Sequence, residues 1–117
     1  MDRLVFPCTC FAAVLMSSAV SADYFIARDG TRIYYEIAGD GASIVVVSGG
    51  FLVREALDPL TQQAPVVFYD ARGRGRSDSV NPDRVSLQHQ VDDLEDLRIE
   101  LGIDSMILLG WSGMGKE

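Results

Sequence analysis

Cysteine is nearly absent from this chain. Of 117 residues two are cysteine, and both, Cys8 and Cys10, lie within the first 22. A product beginning at Asp23 would carry no disulfide and no thiolate metal site, so cysteine usage says nothing about its compartment. Histidine is scarcer still: His89 is the sole one. Basic residues are outnumbered, with 10 Lys and Arg against 17 Asp and Glu and a formal net charge of −7. Arginines and acids alternate, and no basic patch of the kind that binds nucleic acid is present. Acidity of this kind supports solubility and says little about partners. Internal repeats, low-complexity tracts and linkers after residue 22 are also missing. No apolar run reaches the ~20 residues of a membrane-spanning helix. What remains is an ordinary globular composition, 48% hydrophobic and 23% charged, with room for one domain at most.

The first 22 residues differ from the rest. An apolar run from Leu4 to Met16 follows Arg3, and small residues lead to Val20-Ser21-Ala22 before Asp23. A short apolar stretch ending in small residues at −1 and −3 fits a secretory signal peptide. Asp2 offsets Arg3, so the positive start is weak, and an uncleaved anchor or a mis-assigned start codon is the alternative. The expected organisation is residues 1–22 as signal peptide and 23–117 as the folded part. The product is expected to be secreted or periplasmic, with no stable membrane association after cleavage.

Along the folded part, Tyr24 to Arg28 and Thr31 to Ile37 flank Asp29-Gly30, a hairpin signal. Ser43 to Val47 is continuous and β-branched, as a strand buried on both faces requires, and Gly49-Gly50 follows it. Asp58-Pro59 predicts the start of a short helix running to about Ala64. Val66 to Tyr69 predicts a second buried strand, and Arg72 to Ser77 a glycine-spaced loop. Ser86 is placed to cap a helix from Leu87 to Leu101 that Gly102 ends. Its Leu87, Val91, Leu94, Leu97 and Leu101 fall on one face. Met106 to Leu109 predicts a third buried strand, which delivers Ser112. Alternating strands and helices imply a parallel sheet with right-handed crossovers. Ligand sites in such sheets lie beyond the carboxyl ends of the strands, where Ser48 to Phe51, Asp70 to Ser77 and Trp111 to Gly113 all emerge.

Ser112 is the chemically most informative residue. A serine between small residues, straight after an apolar strand, is how a nucleophile on a strand-to-helix turn looks. Its hydroxyl needs a base beside it and room for a carbonyl to approach. Gly110 and Gly113 supply the room. The alternative is a serine that only caps a helix. Acyl transfer also needs two backbone N–H groups aimed at the developing oxyanion. Gly113 offers one and the Gly49-Gly50 turn the other, because glycine lets backbone approach a substrate closely. Gly49-Gly50 taken alone reads equally as a simple turn. The acidic cluster Asp92, Asp93, Glu95 and Asp96 lacks accompanying histidines and reads as a solvated helix face rather than a metal site. Arg72, Arg74 and Arg76, flanked by Asp70 and Asp78, read as a structural loop rather than an anion site. His89 is expected to face solvent. No metal and no cofactor is expected.

Three motifs together resemble a known family. Val46-Val47-Ser48-Gly49-Gly50, then Asp70-Ala71-Arg72-Gly73-Arg74-Gly75-Arg76-Ser77, then Leu109-Gly110-Trp111-Ser112-Gly113 are similar to the α/β-hydrolase fold superfamily, nearest to its proline-iminopeptidase-like, AB hydrolase-1 type branch. The D-x-R-G-x-G-x-S loop is the most specific of the three. The resemblance covers about residues 24 to 117. It implies an α/β fold: the N-terminal part of an α/β-hydrolase domain, a β-hairpin followed by a parallel βαβαβ sheet, ending after the nucleophile elbow. It implies Ser112 as nucleophile and the amides of Gly113 and Gly50 as oxyanion hole, with the elbow strand beside the strand that ends at Ser48. Arg72 and Ser77 would hold a loop near the site without touching the chemistry. A serine rather than an aspartate at position 112 argues against the dehalogenase and epoxide-hydrolase branches.

The chain departs from the family pattern in three places. Ser48 stands where the family has a histidine. Met114 stands where the elbow has its second glycine, which comes one residue later at Gly115. The triad order of serine, acid, histidine is not completed, because only five residues follow Ser112. Loss of base and acid typically costs about 10⁶ in kcat. The expectation is therefore a fragment of a serine hydrolase for a small-molecule ester or amide, inactive as given. The alternative is a secreted, non-catalytic α/β-hydrolase-like binding protein.

Overall fold

The Asp29-Gly30 turn makes the expected hairpin in a computed structural model of the chain, which describes residues 20–111. Gly30 has φ of 92°, the left-handed region that such turns demand. Asp29 Oδ1 accepts the Thr31 N–H at 3.1 Å, and the Ala27 N–H closes the turn onto Thr31 O at 2.8 Å. Strand β1 (Ser21–Ile26) pairs antiparallel with β2 (Arg32–Ala38). It begins two residues ahead of Asp23.

Among the described residues five strands form one sheet, in the order β1-β2-β4-β3-β5, with β3 at Val45–Ser48, β4 at Val66–Tyr69 and β5 at Ile107–Leu109. The hairpin joins through antiparallel pairing of β2 with β4. The remaining three strands are parallel, with β3 at their centre. The alternate residues of β3 and β4 feed two cores. Val46, Val67 and Tyr69 face one side with Phe25, Ile33, Tyr35 and Leu97. Val47, Val66 and Phe68 face the other, against Val53, Leu57, Leu60 and Trp111. That two-sided burial is why both strands read as unbroken apolar runs.

The long helix spans Leu87–Leu101, with the Ser86 side chain accepting the His89 N–H and Gly102 ending it at φ of 67°. It is called α2 below. Its buried face is rotated from the expected leucine stripe. Asp93 and Leu97 are buried, Leu94 and Leu101 pack partly, and Leu87 and Val91 are exposed. Asp93 lies four residues before Leu97, so the two share a face.

Two connections differ from expectation. Gly49, at φ of 77°, turns the chain into a four-residue helix, α1 (Gly50–Val53), where a loop was expected. The predicted helix from Asp58 is instead a 3₁₀ turn, Asp58–Gln62. The Asp58 carboxylate does not cap it, because Oδ1 accepts from Arg54 Nη1 at 2.8 Å. Strand β5 is also not buried as expected: Ile107 and Leu108 are 55% and 56% exposed. β3 covers one of its edges, and among the described residues nothing covers the other.

Candidate active site

Three loops meet at the carboxyl ends of the parallel strands. β5 is in register with β3, Val47 opposite Leu109, so Gly110 and Trp111 after β5 emerge beside the Gly49-Gly50 turn after β3. The Trp111 indole N–H donates to Ser48 O at 3.1 Å and ties the end of β5 to the turn after β3. The loop after β4 joins them through Asp70, whose Oδ1 accepts the Phe51 N–H at 3.1 Å. Gly50 is buried tightly: a Cβ there would lie 3.0 Å from Phe68 Cβ and 3.4 Å from Asp70 Oδ1. Among the described residues no acceptor takes the Gly50 N–H. Ser48 Oγ, at the family's histidine position, is buried and without a hydrogen-bond partner among the described residues. Ser112 and Gly113 lie outside the described residues, as does Met114, so the site is placed up to Trp111.

The loop after β4 is held by buried charge. Arg72 uses all five of its N–H donors. Nε and Nη2 bind Asp93 at 2.7 Å each, Nη1 and Nη2 bind Asp29 at 2.8 and 3.2 Å, and Nη1 also reaches Arg84 O at 3.0 Å. The two carboxylates raise the Arg72 guanidinium further above its already high range, the Asp93 bonds most. Ser77 Oγ donates to Asp70 O at 2.5 Å and accepts the Tyr34 N–H at 2.9 Å. Arg72 and Ser77 thus hold the loop against the hairpin and α2. The acidic residues of α2 are only in part the solvated face read from the sequence: the Glu95 side chain is 45% exposed, whereas Asp93 and Asp96 are drawn inward. Asp93 is buried on Arg72, Asp96 binds Arg28, and Glu95 binds Arg98. For Asp93 and Asp96 the reason is tertiary, because Arg72 and Arg28 arrive from other segments, whereas the Glu95–Arg98 pair is local, one turn along the helix.

These pairs make stability depend on acid. The Arg72 bonds hold the Asp29 carboxyl far below its usual range. Burial alone would raise Glu36 and Asp96. Bonds from Tyr34, Arg54 and Arg76 overcome that for Glu36, and bonds from Arg28 overcome it for Asp96, so both end below their usual values. A carboxylate whose folded pKa is depressed gives the unfolded chain the greater proton uptake in acid. Its contribution is complete above the unfolded value of about 4 and is lost as pH falls toward the folded one. The melting temperature of the full-length protein is therefore expected to be nearly level from about pH 7 to 5 and to fall steeply below about pH 4.5. A flat profile down to about pH 3 contradicts this assignment.

Reading the sequence did not identify Glu36, Arg54 or the anchoring role of Asp70. Glu36 accepts from Tyr34, Arg54 and Arg76, which come from three different segments. Only the position of Asp70, at the end of a strand and the head of the glycine-spaced loop, carried a local signal. His89 Nδ1 lies 2.7 Å from Ser86 Oγ, at the start of α2. Among the described residues no group of three His, Cys, Asp or Glu side chains is placed to hold a metal ion, and no helix is long and apolar enough to cross a membrane.

A hairpin added antiparallel to a parallel sheet, with a central strand flanked by the strands that lead to the D-x-R-G loop and to Trp111, is the N-terminal part of the α/β-hydrolase fold, as in solved α/β hydrolases. Among individual proteins it is similar to one from Caulobacter vibrioides named "Putative carbamate hydrolase RutD", at 34% identity over 92 residues, covering 72% of this chain and 34% of that one. It is also similar to an α/β hydrolase from Novosphingobium aromaticivorans, with TM-score 0.73 and 24% identity over 83% of this chain and 37% of that one. An esterase from Exiguobacterium antarcticum matches with TM-score 0.69 and 26% identity over 79% and 36% of the two chains. Epoxide hydrolases share the fold at 19% and 24% identity, a likeness of fold alone. No protein-family model matches the chain. The chain spans about a third of the length of the curated relatives it matches.

Proposed function

We propose that this chain supplies the nucleophile and oxyanion hole of a serine hydrolase acting on a small-molecule ester or amide. Ser112 is the nucleophile, and the amides of Gly50 and Gly113 receive the oxyanion. The observation that carries the reading is the parallel, in-register pairing of β5 with β3. It sets Trp111, the residue before Ser112, beside the Gly49-Gly50 turn, where among the described residues no acceptor takes the Gly50 N–H and the neighbouring Phe51 N–H is committed to Asp70. Two donors converging on one carbonyl oxygen are what acyl transfer requires. Of the similar proteins, one is named an esterase and another a "Putative carbamate hydrolase", and ester or carbamate substrates fit this reading. A serine rather than a carboxylate at position 112 favours that chemistry over epoxide opening.

Within residues 1–117 the sole histidine, His89, is engaged with Ser86 at the start of α2. Without a base beside Ser112 these residues alone are not expected to turn over substrate. The test is labelling of the full-length protein by a fluorophosphonate probe. Stoichiometric labelling is expected for the wild type and none for Ser112→Ala. Undiminished labelling of Ser112→Ala removes the nucleophile assignment. Absence of labelling in the folded wild type favours the non-catalytic alternative.

A further inference from the structure

We propose that the Asp70–Arg76 pair positions the Gly50 amide and is a working part of the oxyanion hole, an inference that rests on the acyl-transfer reading above. A helical turn as short as Gly50–Val53 does not hold its own conformation. Here the peptide unit joining Gly50 to Phe51 is fixed at both ends. Its N–H donates to Asp70 Oδ1 at 3.1 Å, and its carbonyl accepts the Arg54 N–H at 2.9 Å. Asp70 itself cannot shift. It is fully buried, its backbone N–H donates to Tyr34 O at 3.0 Å, and its carbonyl accepts from Ser77 Oγ. The Asp70 carboxylate is therefore a fixed post, and the turn that presents the Gly50 N–H hangs from it.

Charge completes the device. A buried carboxylate beside the turn that offers the Gly50 N–H would disfavour negative charge developing there if left unpaired. Arg76 prevents that: its backbone N–H and Nε both donate to Asp70 Oδ2, at 2.9 and 3.0 Å. Glu36 steadies the same guanidinium from β2, with Nη1 to Oε1 at 3.0 Å. Gly75 is what lets Arg76 come so close. It has φ of 52°, and a Cβ there would collide with Asp70 Oδ2 and Phe51 Cδ1. The glycine spacing of the loop thus serves the approach of backbone to Asp70.

The test uses the full-length protein with p-nitrophenyl acetate as substrate and a fluorophosphonate to count active sites. In Asp70→Asn one amide must replace an acceptor of three N–H groups, and kcat per titrated site is expected to fall about 10- to 100-fold with KM within about threefold. Arg76→Gln is expected to fall similarly, and Arg76→Lys to recover most of the loss by restoring the charge. A purely structural role would lower the melting temperature and the titrated fraction but leave kcat per site within about threefold of wild type, and that result overturns the proposal. If Asp70→Asn does not fold, the two Arg76 variants carry the same comparison. If labelling proves independent of Ser112, the acyl-transfer reading falls by itself. The clamp is then read from exchange of the Phe51 amide, expected to be at least about tenfold faster in Asp70→Asn. Equal exchange rates overturn the clamp as well.

Discussion

Replacing Arg72 by methionine is expected to destabilise the full-length protein by about 3–5 kcal/mol, enough to unfold a typical domain near physiological temperature. The Arg72 and Asp93 side chains are 1% and 3% exposed, and Asp29 is 20% exposed. Methionine fills much of the volume but removes the only charge facing both carboxylates from within the loop, together with five hydrogen-bond donors. The loss is dominated by the penalty on the Asp93 carboxyl, left buried without its partner. The double variant Arg72→Met/Asp93→Leu is expected to recover part of it, because removing both charges removes that penalty. Chemical denaturation of the two variants measures both effects. A loss below about 1 kcal/mol in the single variant contradicts the buried-pair assignment.

Residues 23–117 expressed alone are expected to aggregate or to populate a molten state. Strand β5 presents Ile107, Leu108 and Leu109 at 55%, 56% and 37% exposure, with one edge unpaired among the described residues. A flat apolar edge pairs readily with other chains. Ile99, Val91 and Leu87 add exposed apolar surface on α2. Retained far-UV circular dichroism with weak near-UV signal and dye binding is the expected signature. A monomer that unfolds cooperatively contradicts it.

Much of the sheet was legible in the sequence because its signals are local. The Asp29-Gly30 turn, the β-branched run into Ser48, and the Ser86 cap with its Gly102 stop each depend on residues within a few positions of one another. The elements appear where those signals lie. The rotated face of α2 was also within reach. Asp93 stands four residues before Leu97, yet an acid among acids reads as solvent-facing until its partner is known. That partner, Arg72, lies 21 residues away in sequence. The 3₁₀ turn at Asp58 and the short helix at Gly50 depart from the local reading. The Gly50 helix is held by Asp70, 19 residues away, taking the Phe51 N–H, while at Asp58 the short-range Arg54 contact draws the capping carboxylate away.

By itself the sequence determined which segments form strands and helix, and which residue types are available for chemistry: one serine between glycines after a strand, one histidine, no cysteine after Ser21. Periodicity, caps and turn residues encode these because they act over one or two turns of chain. The tertiary structure alone decided which acids are buried and, among the described residues, which edge is open and which backbone amide at the Gly50 turn has no acceptor. Those outcomes depend on charges and hydrogen-bond partners from segments tens of residues apart, which meet only when the sheet assembles and water is excluded between them.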